Sequence, residues 1–380
     1  MSEAATENPR AKLKAFLQPI VATIIITIVL SMLTLSFYQH LAIDAPDISP
    51  IPENPDDPGG IAQGAIFNML FYVILAFIGG VIVLIIMKKG LGQLLIYFFA
   101  AAMGFSWFIF GLFYGSIVVF EVVNLLFWDY FPAIWEFFQF SENFIVSLQS
   151  QIQRFFDWNI IIGSQQVFVV EALIYIFAFL LGLLGIISFG IQTFDRIWIR
   201  NMMMILFGAM IGSMLAIHLG LLTTILILIG LSIYDIYAVF RGPLKGIIDH
   251  SRETANEFEE QLKEYDEQYI EYKKVPLLPA LPVYSSPLIN IGLGDFAFFS
   301  MLISATVVIS DSLYNPIPLI AGLIGLFLGV FYTFKFLEEE RALPGLPLPI
   351  FGGLGFLTVS IIGGLIFGFF NLESVFALFA

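Results

Sequence analysis

Two aspartates stand inside stretches that otherwise read as membrane helices. Asp295 closes Gly292-Leu293-Gly294-Asp295 near the start of one apolar run, and Asp235 follows Tyr234 near the end of the run before it. An Asp at the centre of a membrane helix costs about 2.5–3.5 kcal/mol on insertion scales. Two of them in consecutive runs therefore point to function. Two carboxylates held within a few ångströms cannot both ionise readily; the pair titrates as a unit and one member keeps its proton. That suits aspartic hydrolysis. The ionised partner takes a proton from water as it attacks a peptide carbonyl, and the protonated partner polarises that carbonyl and then serves the leaving amine. The competing use of intramembrane acids is a proton or cation relay in an ion-coupled transporter.

Other residues gather round the pair. Gly292 and Gly294 let another backbone approach closely, either an extended substrate or simply a packed helix. Pro344-Gly345-Leu346 opens the last apolar run, with Pro347 and Pro349 close behind. Prolines so dense leave backbone groups unpaired, which membrane depth tolerates only beside protein or water; an ordinary helix start is the plainer alternative. Tyr234 is placed either to hydrogen-bond the pair or to pack beside it.

The elements that must position these residues are membrane helices. Charged residues make up 12% of the chain and the mean hydropathy is +0.93, against about 25% charged residues in a soluble domain. A polytopic membrane protein is the class this predicts. With no Cys there is no disulfide or thiolate chemistry. The His residues (His40, His218, His250) are far apart in sequence, so a metal site would need Asp or Glu ligands; no metal or other cofactor is expected. No basic cluster suggests nucleic acid.

Apolar runs predict an all-α protein of nine transmembrane helices, at about 17–38, 64–87, 91 to beyond 113, 166–190, 199–217, 219–240, 289–310, 316–336 and 347–370. The first is too long for a signal-peptide core and reads as a signal anchor. Residues 1–218 form a five-helix scaffold; 219–380 form a catalytic four-helix part with a cytoplasmic loop at 241–287. Within 121–160, a stretch dense in aromatics, Phe144, Leu148, Ile152 and Phe155 recur at helical spacing, as in an interfacial segment. An aromatic anchor belt is the plain reading and a substrate-facing platform the functional one. In the loop, Phe258, Leu262, Tyr265, Tyr269 and Tyr272 mark a narrow helix stripe supported by the Glu259–Lys263 pair. Pro276, Pro279, Pro282 and Pro287 then favour extended chain, a strand to which an unwound substrate can add. Glu171, near the outer end of the fourth helix, reads as a snorkelling acid. Small residues four apart (Gly111 and Gly115; Gly325 and Gly329; Ser360, Gly364 and Gly368) suit close helix packing in lipid.

Charge placement tests the count. With a cytoplasmic N-terminus and strict alternation, every Lys and Arg except Arg154 falls on the cytoplasmic side, from Arg10, Lys12 and Lys14 to Lys335 and Arg341. The positive-inside rule expects this bias, and adding or losing one helix would scramble it. The C-terminus then lies outside. Asp235 comes roughly 9 Å before the cytoplasmic end of the sixth helix, and Asp295 roughly 10 Å after that end of the seventh, at 1.5 Å per residue. The two meet at one depth.

Tyr234-Asp235, Gly292-Leu293-Gly294-Asp295 and Pro344-Gly345-Leu346, in that order on nine helices, resemble the presenilin and signal peptide peptidase family of intramembrane aspartyl proteases. That family carries Tyr-Asp in its sixth helix, Gly-x-Gly-Asp in its seventh and Pro-Ala-Leu at its ninth. Here Gly345 replaces the alanine. Prepilin peptidases share Gly-x-Gly-Asp but are not expected to carry the third motif. The resemblance is best over about 220–370. It implies that Asp235 and Asp295 are the catalytic pair, with Tyr234, Gly292, Leu293, Gly294, Pro344, Gly345 and Leu346 shaping the site. The orientation is that of presenilin rather than of the inverted signal peptide peptidases. By analogy it implies an endopeptidase for transmembrane segments whose N-terminus lies outside. An archaeal-type homologue is expected to work in the cell membrane of a prokaryote without obligate partner subunits.

Overall fold

The computed structural model describes residues 9–41, 49–51, 58–123, 168–190, 197–247, 249, 283–285, 290–337 and 344–378. They are almost entirely helical: α1 (Pro9–Leu41), α2 (Pro58–Lys88), α3 (Gly92–Val123), α4 (Phe168–Gly190), α5 (Ile197–His218), α6 (Leu221–Phe240), α7 (Leu293–Ser312), α8 (Ile317–Leu337), α9 (Pro347–Ile366) and the short α10 (Leu372–Ala377). A helix pairs all its backbone groups internally, which is what a bilayer demands. Eight of these helices are long and apolar enough to cross a membrane; α4 contributes the shorter apolar stretch Tyr175–Ile187. Residues 121–123 belong to α3, whereas the rest of the aromatic run to 160, Glu171's side chain and the loop stripe from Phe258 to Tyr272 lie outside the described residues.

Contacts fix the relative directions of the helices. α1 runs parallel to α7: Thr27 donates to Ser300 (2.9 Å), Ser31 meets Ser304, and Gln39 donates to Asp311 (3.0 Å). α5 also runs parallel to α7. A Cβ on Gly208 would strike Phe296, and one on Gly212 would lie 2.7 Å from the Met301 nitrogen. α3 is antiparallel to α4, where Gly104 faces Ile186 and Gly111 faces Ala178, yet parallel to α5, where Phe110 packs on Phe207 and Tyr114 donates to the Met210 carbonyl. α8 is antiparallel to α9, with Gly325 against Gly352 and Gly329 against Pro349. The expected small-residue packing is thus present at Gly111, Gly325 and Gly329.

It fails at the third set. Gly364 accommodates the ring of Phe370 and Gly368 has φ +74°. The Phe369 N–H bonds to the Gly364 carbonyl (2.8 Å) and the Gly368 N–H to the Leu365 carbonyl (3.3 Å). This is a Schellman turn: these glycines end α9 rather than pack it, because the chain must leave the helix in a left-handed conformation.

A second correction concerns the start of the seventh helix. It begins at Leu293, not near 289, because Asn290–Gly292 forms a strand, β2, paired antiparallel with β1 (Val283–Ser285). Extended chain was expected before the helix; pairing it within the protein satisfies backbone groups that a helix would have bonded internally. Asp295 consequently sits in the first turn of α7, nearer the helix end than its expected depth. The loop after α6 also opens with helical residues, so the apolar helix-forming stretch reaches Ile247.

Two cores result. One, with Leu228, Leu231, Phe296, Leu302, Leu346 and Ile350, lies between α6, α7 and α9. The other, with Phe37, Trp107, Phe110, Met204 and Phe207, joins α1, α3 and α5. At its edge His218 is a satisfied core residue: Nε2 pairs with the Tyr38 hydroxyl (2.7 Å) and Nδ1 with the Met214 carbonyl (2.8 Å).

Candidate active site

Asp235 occupies the last third of α6, where Leu228 and Leu231 turn one face inward while Ile233, Tyr237 and Phe240 are exposed. Asp295 is carried by α7, which with α5 is among the most enclosed of the described helices. Its neighbours Phe296 and Phe299 are buried, and its depth is fixed by α1 through the Thr27–Ser300 and Ser31–Ser304 hydroxyl pairs and by α5 through Gly208 and Gly212. Both aspartates are half-buried and close enough to interact electrostatically.

The Pro344–Leu346 turn completes the arrangement. The Leu346 N–H donates to Asp235 Oδ2 at 3.1 Å, and the Gly345 N–H also faces that carboxylate. A Cβ on Gly345 would lie 3.1 Å from both carboxylate oxygens of Asp295. One turn therefore touches both acids, bonding to one and lying against the other. Leu346 is itself buried in the core beneath, beside Ile350, so the turn is anchored rather than merely nearby. From the hairpin side, Gly292 hydrogen-bonds Asp295 through its backbone and has room for no more than an ordinary contact, 3.6 Å from a would-be Cβ to Oδ2.

The expected site residues thus divide. Asp235, Asp295, Gly292, Gly345 and Leu346 come together. Pro344 is half-buried at the start of the turn. Leu293 packs instead against the core of α1, α3 and α5, and Gly294 is exposed with Phe298 as its neighbour. Tyr234 stays within electrostatic reach of Asp235, but its hydroxyl donates to the Ala76 carbonyl of α2 at 3.3 Å and lies over Gly80, which also receives Pro243. Tyr234 thereby ties α2 to α6 beside the site. Sequence reasoning missed Ala76, Gly80 and Pro243, which no local pattern marks. It also missed Gly208 and Gly212, whose four-residue spacing is the signal that could have found them.

Two carboxylates, backbone donors and a tight turn can share one proton and hold a polarised carbonyl. They place two carboxyl groups within electrostatic reach of each other, an arrangement that can supply both acid and base for hydrolysis of an unactivated amide.

No family model matches the chain. Over 200 residues, 48% of the chain, it is 30% identical to Presenilin-B of Dictyostelium discoideum, and that stretch spans 35% of the relative's length.

Proposed function

Taking the chain as a member of the presenilin family, which its similarity to Presenilin-B supports, we propose that it is an aspartyl endopeptidase that cleaves transmembrane segments within the bilayer. The observation that carries this reading is the contact of a single turn, Pro344–Leu346, with both aspartates: three motifs far apart in sequence converge on one point.

Asp235 and Asp295 share one proton. The ionised member takes a proton from a water whose oxygen attacks the scissile carbonyl carbon, while the other gives its proton to the carbonyl oxygen. A C–O bond forms and a gem-diol results. In the second step a proton passes to the amide nitrogen, the C–N bond breaks, and the carbonyl of the new carboxylic acid reforms as the pair regains its starting protonation. The Leu346 N–H holds Asp235 in orientation throughout. Residues 219–380 carry this chemistry and 1–218 frame it. The substrate is a transmembrane helix unwound at the cleavage point, reached within the lipid, and no obligate subunit takes part.

The chain crosses the membrane nine times with its N-terminus cytoplasmic. Helix directions support this: α3 and α5 are parallel, so the chain must return between them, and α4 is antiparallel to α3. The one-sided distribution of Lys and Arg supports the orientation, in the cell membrane of a prokaryote.

The test is cleavage of a reporter transmembrane peptide by purified protein. Asp235→Asn and Asp295→Asn are each expected to abolish cleavage while melting like the wild type. Cleavage surviving either change would remove the pair from the mechanism.

A further inference from the structure

Basic residues gather at the end of the bundle that carries Asp235. α2 and α6 run parallel, and their contact continues past Phe240, where α6 ends. Met69 and Val73 close on Gly230, and Tyr234 reaches the Ala76 carbonyl. Beyond them a Cβ on Gly80 would lie 3.0 Å from the Pro243 ring, and one on Gly246 would lie 3.0 Å from Leu84. Lys88 follows Leu84 by one turn, on the α2 face turned to this extension. Lys89 comes next, where the Gly90 N–H bonds to the Met87 carbonyl (2.9 Å) and turns the chain. From the other side, Arg241 precedes Pro243 and Lys245 adjoins Gly246. Contact between two helices thus brings four exposed cations together.

None of the four has an ion-pair partner among the described residues, and Asp249, the one described acid on this extension, is exposed and paired to none of them. Single cations at helix ends, such as Lys14 and Lys335, need only the usual one-sided bias of basic residues. Four like charges crowded between two helices repel one another, and an anion among them removes that cost. Basic pockets between membrane helices suit lipid head groups, and a Lys ammonium binds phosphate as a point charge. The surface just deeper in the bilayer completes the fit. Ile85 on α2 and Phe240 on α6 are 48% and 49% exposed, an apolar flank for an acyl chain directly below the cations.

We propose that the adjoining ends of α2 and α6 bind an anionic phospholipid, with Lys88, Lys89, Arg241 and Lys245 on its phosphate and Ile85 and Phe240 along its chain. A lipid seated there clamps α2 to the helix that carries Asp235. The site requires only that these helices lie in a bilayer, so it stands apart from the protease reading.

The chain has no Cys, so Ile85→Cys carries a single bimane fluorophore at the site in the full-length protein. In vesicles at low salt, its quenching by phosphatidylglycerol brominated in the acyl chains is compared with quenching by phosphatidylcholine brominated likewise. The anionic lipid is expected to be preferred at least about fivefold. Adding Lys88→Gln and Lys245→Gln together should bring the two lipids close to parity. Lys88→Arg with Lys245→Arg should keep the preference, which separates charge from any folding defect. Lys14→Gln with Lys335→Gln removes the same charge from exposed positions elsewhere and should leave the preference intact. Parity in the parent protein would overturn the site. So would an equal fall in both Gln pairs, which would make the preference a diffuse surface potential. Soluble glycerol phosphate that abolished the preference would show a head-group site without the acyl contacts and overturn the assignment to a lipid.

Discussion

Position 345 is where a single side chain meets the chemistry most directly. Even one methyl there would sit 3.1 Å from both oxygens of Asp295, and the carboxylate would have to give by a few tenths of an ångström. A branched side chain asks for more. A misplacement near 1 Å costs about a hundredfold in rate, so Gly345→Val is expected to lower kcat by about that factor. Its melting temperature should stay close to wild type, because Gly345 itself is only half-buried. Turnover and calorimetry on one preparation separate this from misfolding. The pair also dictates the form of the pH dependence. Below the lower apparent pKa both carboxyls are protonated and no base remains; above the upper one both are ionised and no acid remains. The profile of kcat/KM is expected to be bell-shaped, with limbs that belong to the pair rather than to either residue. A profile with a single limb would mean that only one carboxyl titrates in the mechanism.

At the scale of elements, α7 is the part on which the site depends, and α5 is its support. Gly212 lies so close to α7 that a Cβ would overlap Ala297 and Ser300 as well as approach Met301. Gly212→Val is expected to cost about 1–3 kcal/mol through overpacking and to lower cleavage as Asp295 shifts with its helix. A fall in melting temperature with activity retained would show that α5 sets stability without setting the site. The β1–β2 hairpin offers a second test. Replacing Val283–Ser285 with Gly-Ser residues weakens the partner of the strand that leads directly to Gly292 and Asp295. Cleavage is expected to fall about tenfold, and unchanged cleavage would dismiss the hairpin as a positioning device.

These elements also show what a one-dimensional reading can reach. Helices and their order were legible because a bilayer allows little else, and the aspartates stood out because charge there is costly. The Pro344–Leu346 turn was legible as a place where helix pairing fails. What stayed hidden depends on contacts between distant segments. Tyr234 reads as a neighbour of the acid beside it, yet its bond runs to Ala76 on another helix. Gly364 and Gly368 have packing spacing but serve a helix end, and spacing alone cannot separate the two uses. The strand at Asn290–Gly292 exists because Val283–Ser285 comes back to pair with it, which no apolar periodicity announces.

For the whole molecule, the sidedness of the site turns on whether α4 crosses the membrane. From Lys89, after α2, to Lys245, just beyond α6, the chain passes through α3, α4, α5 and α6. Four crossings return it to the side it left; three do not. The absence of Cys makes this directly measurable, because single cysteines can be placed at Lys89, Lys245, Ser312 and Glu373, all exposed near helix ends or turns. In sealed, right-side-out vesicles an impermeant maleimide is expected to label Ser312→Cys and Glu373→Cys. Lys89→Cys and Lys245→Cys should react only after the membrane is opened. If Lys89→Cys is protected and Lys245→Cys labelled, α4 does not cross, and every later helix reverses. The aspartates would then face the outer side, and the substrates served would be those of opposite orientation. The ends of α6 and α7 that carry Asp235 and Asp295 share a side with Lys245, so the label there reports the compartment from which the pair would take water in the proposed reaction.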